Sequence, residues 1–291
     1  LYTLLAHNVE LIREEDAALL KENIEQQLFS VMKGSPDILA DDHNLALLSD
    51  VLFFINLKST KVTHQEELNK YTEYFIDELK VLEEPSRLIL PFAKLLCALS
   101  KDCQLEASQN IFTKAISLVK SSSSIEEFEK LGYLELIMVL SNKWINEEIV
   151  KEVCTWNDTS SLNLEVLVWA EKGLLMKNSP LAVEFHAKFV NLLSDKACGS
   201  FVARLFEIFV VDIVSINKYK SIPWCNNTKA LYKQKFFCET FRRLVESYRS
   251  ATQLSLKSNY LTALSLVLKH IPSKIIEPYM DEMLPLLLQA L

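Results

Sequence analysis

The 291-residue sequence predicts an all-α fold of about fourteen helices stacked as antiparallel pairs. Apolar residues recur at steps of three, four and seven along most of the chain, and no stretch sustains period-two alternation. Only 4 Gly and 8 Pro occur, too few for a sandwich or barrel that turns every ten residues or so. Caps and breakers between the apolar runs mark off helices of roughly 12–23 residues.

In order along the chain, Glu10–Met32 carries Ile12, Leu19, Leu20, Ile24, Leu28 and Val31 at helical spacing. Gly34-Ser35-Pro36 breaks that helix, and Asp37 caps a second one through Leu45, Leu48, Val51, Leu52 and Ile55. Thr63 and Glu66 have capping-box spacing and open a helix with Leu68, Tyr71, Phe75 and Leu79 on one stripe. Pro85 suits the first turn of the next helix, and Pro91 within it predicts a kink. A helix over 105–119 follows, then a second capping box, Ser124 with Glu127, ahead of Phe128, Leu131, Leu134 and Met138. Further helices are expected at 146–156, 161–176, 180–194 (started by Ser179-Pro180), 198–217, 227–249, 258–270 and 274–290.

Starts of corresponding helices lie roughly forty residues apart in places, as in HEAT or armadillo repeats. This reading divides the chain into irregular helical repeats over 1–160 and HEAT-like repeats over 161–291. The segment from Ile275 to Leu288, with Pro278 and Pro285, resembles the first helix of a HEAT repeat. Its partner helix would lie beyond Leu291, so a longer natural protein is expected.

Charge is uneven. Residues 1–150 carry 25 acidic and 14 basic side chains, a net of −11, whereas 151–291 carry 13 and 17, a net of +4. No concentrated basic face of the kind that binds nucleic acid is evident, and two different partner surfaces are allowed. No run reaches the roughly 18–20 uninterrupted apolar residues of a membrane span. None of the six cysteines forms a C-x-x-C pair, which fits reduced thiols in an intracellular protein.

Motifs for catalysis are missing. His7, His43, His64, His186 and His270 are scattered, and the four glycines lie too far apart for a phosphate-cradling loop. No catalytic, cofactor-binding or metal-ligating set is therefore assigned. Glu66, Glu67, Glu73, Asp77 and Glu78 read as one solvated helix face. The stretch from Lys218 to Arg249 is different: basic residues stand beside Tyr219, Trp224, Tyr232, Phe236 and Phe237. Lys218, Lys220, Trp224, Lys233, Lys235, Arg242 and Arg243 are the candidate partner-binding residues, against the plainer reading of core aromatics covered by lysines.

An ordered set of segments carries a family resemblance. It comprises Leu167-Val168-Trp169-Ala170-Glu171-Lys172-Gly173-Leu174, Ser179-Pro180, Leu192-Leu193-Ser194-Asp195, Leu231 to Phe237, Lys257 to Ser265, and Leu284-Pro285-Leu286-Leu287-Leu288-Gln289-Ala290-Leu291. Together these resemble the methyl-methanesulfonate-sensitivity-nineteen (MMS nineteen) family of HEAT-repeat adaptors, well over 160–291 and faintly over 86–160. The resemblance implies a non-catalytic adaptor of cytosolic iron–sulfur protein assembly, in cytoplasm and nucleus, without a cofactor of its own. Its implied partners are a WD40 propeller subunit, a MIP18-type subunit, and client apoproteins such as helicases of the xeroderma pigmentosum group D type, polymerases and primase. Direct contact with nucleic acid or membrane is not implied. The competing reading is a HEAT or armadillo adaptor of another pathway, such as nuclear transport.

Overall fold

A computed structural model describes residues 13–34, 41–58, 64–121, 125–211 and 228–290. The described residues form helices and turns with no strand, as the fold class predicted. They fall into two compact units that meet in sequence at Asn146 and Glu147.

The first unit contains α1 (Glu14–Gly34), α2 (Asp42–Lys58) and α3 (His64–Thr72), which runs on into a π-helical turn (Glu73–Glu78). It is completed by α4 (Ile89–Ala98), α5 (Ser108–Ser121) and α6 (Glu127–Lys143). The second unit contains α7 (Glu147–Val153), α8 (Ser161–Met176), α9 (Pro180–Leu192), α10 (Gly199–Val210), α11 (Ala230–Ser250) and α12 (Leu254–Leu268). The single turn α13 (Ser273–Ile276), a 3-10 turn (Glu277–Tyr279) and α14 (Met280–Ala290) close it.

Alternate helices stack. In the first unit α4 packs against both α2 and α6, while α5 lies on α6 and α1 on α2. In the second, α10 packs against both α8 and α12, while α9 and α11 form the neighbouring row. This is the contact order of stacked helix pairs, in which each pair buries its apolar side on the next.

Three inner helices are buried on every side over long stretches. All residues of α4, Gly132 to Ser141 of α6 and Val166 to Met176 of α8 are buried. A helix with no wet face must satisfy its polar groups internally. Lys94 of α4 meets Glu135 of α6 at 3.2 Å. Burial pulls the Lys94 ammonium down, but Glu135, Cys97 and Asp50 outweigh it and hold its pKa above the usual lysine value.

Two further lysines close helix ends, where the last carbonyls lack intrahelical partners and carry the negative end of the helix dipole. Lys143 Nζ donates to the carbonyls of Leu96, Cys97 and Leu99 at 2.8, 2.7 and 2.7 Å, capping α4 from α6. Lys172 Nζ donates to Ile208 and Val211 at 2.6 and 2.5 Å, capping α10 from α8. Tyr133 fixes the turn before α4: its hydroxyl donates to Val81 O at 2.5 Å and accepts the Ser86 N–H at 3.1 Å.

Several local expectations are corrected. Pro85 precedes α4, which starts at Ile89, so it sits in the connecting turn. Pro91 is the third residue of α4, where a backbone N–H has no intrahelical acceptor, and a kink is not required. Among the described residues the capping box of α6 is Glu126 with Glu129. Glu67 is not on the solvated face; it is buried and paired with Lys21 of α1 at 3.0 Å. Ser179 and Pro180 start α9 as cap and first residue, as read from sequence. Asp37, Thr63 and Ser124 lie outside the described residues.

Gly132 lets α6 approach α4: a Cβ there would meet Ile89 Cγ2 at 2.4 Å and the Leu90 backbone nitrogen at 3.0 Å. Gly132→Ala is expected to destabilise by about 1–3 kcal/mol, the overpacking cost exceeding the roughly 1 kcal/mol of helix propensity gained. Gly34→Ala, with open space around it, should be neutral in the same urea titration. Lys172→Met should cost about 2–4 kcal/mol, because two α10 carbonyls lose their buried donor. A shift below about 0.5 kcal/mol would remove the cap from the account.

Candidate docking face on the second unit

Helix α11 is amphipathic, and its two faces separate the aromatic from the basic residues. Phe236, Phe237, Thr240, Phe241, Leu244, Val245 and Tyr248 are buried, in pairs that repeat every four residues. Phe237 and Phe241 pack edge-on and tilted around Tyr279, with ring centroids 5.3 and 5.0 Å away. The aromatics of this helix are thus core, as the plainer sequence reading held.

Of the candidate residues, Lys235, Arg242 and Arg243 are exposed. Lys233 points inward and is buried, so it takes no part in a surface. Lys218, Lys220 and Trp224 lie outside the described residues. Lys235 Nζ donates to Asn178 Oδ1 at 3.3 Å. Asn178 ends α8 at φ 56°, a left-handed position that asparagine tolerates. Arg249, nearly two turns beyond the arginine pair, reaches Glu282 of α14 at 3.3 Å. Glu239 is half-buried and Glu246 exposed on the same helix.

Beneath this face His186 of α9 is buried among the rings of Phe209 and Phe236, at 5.6 and 4.6 Å. Its Nε2 approaches Glu171 Oε1 to 2.5 Å, without the alignment of a hydrogen bond. Burial first, then the charges of Lys235 and Arg243, push the imidazole down to about 3, so it is neutral at neutral pH. Of the other described histidines, His43 is exposed, and His64 and His270 have structural partners. His64 Nδ1 accepts the Ser100 N–H at 2.9 Å, and His270 Nε2 lies 2.9 Å from Glu207. Among the described residues no three His, Cys, Asp or Glu side chains converge as a metal-binding group. A small apolar cleft between α11, α12 and α14 is lined by Leu244, Val245, Tyr248, Tyr260, Leu264 and Leu286. Beside it Met280, Leu284 and Leu288 stand exposed at four-residue steps.

Three of the segments that carried the family resemblance prove to be packing elements. Leu167 to Leu174 lies wholly within the buried stretch of α8. The turn at Leu192 to Asp195 and the segment Lys257 to Ser265 meet in space: Asn259 Nδ2 donates to Leu193 O at 2.9 Å. A Cβ at Gly199 would come within 2.6 Å of that carbonyl and 2.7 Å of that amide. Asp195 Oδ1 accepts the N–H groups of Ala197 and Cys198 at 2.8 and 3.0 Å, which lowers its pKa and starts α10.

Stacked helix pairs with buried inner helices and charged outer ones define a helical-repeat protein. The particular family follows from comparison. The family model described as RNAPII transcription regulator C-terminal, MMS19_C, matches residues 1–291. The DNA repair/transcription protein MMS19 of Saccharomyces cerevisiae is 48% identical over 287 residues, covering 98% of this chain and 28% of its own length. MMS19 nucleotide excision repair protein homologs of Xenopus tropicalis and Homo sapiens are 37% and 30% identical over 44% and 43% of this chain, and 12% of their own length in each case. The chain belongs to the MMS19 family, and it spans less than a third of the length of these relatives.

His186 makes the second unit acid-sensitive. Its folded pKa lies below the ordinary 6.5, so the unfolded chain binds the extra proton as pH falls from about 6.5 towards about 3. Stability is expected to be full above pH 6.5 and to drop through that window, by up to about 1.4 kcal/mol per pH unit from this residue. Thermal unfolding of His186→Phe across the window should show a shallower slope than the parent protein; an equal slope would place the acid sensitivity elsewhere.

Proposed function

We propose that this chain is part of a non-catalytic scaffold that recruits client apoproteins to the cytosolic iron–sulfur targeting complex. Membership of the MMS19 family over residues 1–291 is the observation that supports it most strongly. In this reading the relatives' names, which refer to DNA repair and transcription, reflect the enzymes that receive clusters through the scaffold. Its partners are a WD40 propeller subunit, a MIP18-type subunit and clients such as helicases of the xeroderma pigmentosum group D type. The scaffold works in cytoplasm and nucleus, where those clients mature and act.

The physical form suits that work. A stacked-helix protein offers a long surface whose charge can differ between regions, and different partners can then occupy different parts. The acidic balance of residues 1–150 and the basic balance of 151–291 supply such a difference. The helix rows themselves are held by internal rungs, so binding does not have to build the surface it uses.

Affinity capture of the tagged natural protein at moderate salt, followed by mass spectrometry, tests the proposal. Propeller and MIP18-type subunits together with iron–sulfur helicases are expected in the eluate. Recovery of transport GTPases and their cargo without any cluster-assembly subunit would replace it with a transport adaptor.

A further inference from the structure

We propose that the outer face of α11, centred on Lys235, Arg242 and Arg243, docks an acidic peptide segment of a client protein. That the occupant is a client rests on the scaffold reading above; that it is acidic rests on the charges alone.

The three side chains are exposed on a helix whose opposite face is buried. Lys235 and Arg242 are seven residues apart, two turns on one stripe, and Arg243 adjoins them. From Lys235 to Arg243 the helix rises about 12 Å, the reach of three or four residues of extended peptide. Lys229 adds an exposed ammonium at the start of the helix.

Carboxylates of the neighbouring helices α9 and α14 are engaged elsewhere, while Glu239 and Glu246 stand at three- or four-residue steps from the cations on α11 itself. Glu184 of α9 pairs with Lys151 at 3.5 Å, and Glu282 of α14 with Arg249 at 3.3 Å. The partner of Lys235 on α8 is Asn178, a neutral amide. The surplus is felt in the interior, where Lys235 and Arg243 add to the effect of burial on His186. Each guanidinium suits a carboxylate, which it binds in paired, charge-assisted hydrogen bonds.

Nucleic acid is the less fitting ligand. Glu239 and Glu246 interleave with the cations and would repel a continuous phosphate backbone. Separate carboxylates on a peptide can place themselves at the arginines and avoid the two glutamates. The face is also short, whereas nucleic-acid sites show a broad basic surface.

The test uses two fluorescent probes on the purified natural protein: a peptide of about ten residues rich in Asp and Glu, and a single-stranded oligonucleotide of similar charge. Anisotropy is read at about 50 and about 300 mM salt, since exposed charge pairs weaken on screening. The peptide is expected to bind in a salt-dependent way, and Arg242→Glu with Arg243→Glu to weaken it at least about tenfold. Arg242→Gln with Arg243→Gln, a milder change, should weaken it in the same direction and guards against a folding defect. Lys101→Glu with Lys114→Glu, exposed in the first unit, should leave it unchanged. No peptide binding, equal binding by the arginine variants, or tighter binding of the oligonucleotide would each overturn the proposal. Because the probes are not clients, failure here leaves the capture experiment to judge the scaffold reading separately.

Discussion

The structure depends on one constraint: α4 and long stretches of α6 and α8 have no wet side. Such a helix gains its stability from apolar contact on every face, and it has nowhere to hide an unpaired polar group. The constraint explains the placement of the buried charges. Lys94 and Glu135 neutralise each other between α4 and α6. Lys143 and Lys172 send their ammonium groups to the open carbonyl ends of α4 and α10. Each contact is directional, so it fixes how far one helix slides along its neighbour, a freedom that apolar packing alone leaves soft. A buried pair of this kind adds little net stability over a well-packed apolar pair, but breaking one partner is costly. Its contribution here is register between successive helices.

The outer helices of each unit follow different physics. Helices α1, α3, α9 and α11 bury one face and expose the other, and their buried polar contacts lie at the edge of the buried face. Lys21 meets Glu67 at 3.0 Å and Lys70 meets Glu25 at 2.5 Å, both between α1 and α3. The Tyr71 hydroxyl ties Glu25 to Asn56 of α2 at the same place. His186 and Glu171 occupy the corresponding junction of α9 with α8. With the interior locked in this way, the outer side chains are free to vary in charge, and variation of surface on a fixed stack is what a docking protein requires.

Much of the fold was legible in the sequence because helix periodicity and caps are local. Ser179-Pro180 announced α9, and α8 runs from Ser161 to Met176 as the spacing indicated. Long-range facts were not legible. Glu67 sits among acidic neighbours on a polar stripe, and only Lys21, 46 residues earlier in the chain, turns it inward. Nothing in the sequence marks Lys143 and Lys172 as caps, because their partners are backbone carbonyls that no residue type reveals. The π-helical turn at Glu73–Glu78 inserts an extra residue and brings both Tyr74 and Phe75 into the core, which a 3.6-residue period does not foresee. For the candidate face, the sequence reading grouped Lys233 with the exposed cations, and only the structure turns it inward beside Phe236 and Phe237. Family membership was legible in residues that pack, such as Asn259 against Leu193, and those residues say nothing of which surface meets a partner.

Native-state hydrogen exchange measures the central claim most directly. If the sealed inner row holds the structure, amides of α4, α6 and α8 exchange last in their units, through global opening, while amides of α11 and α14 exchange earlier through local opening. Exchange of α4, α6 and α8 at the pace of α11, under conditions where the protein remains folded, would contradict it.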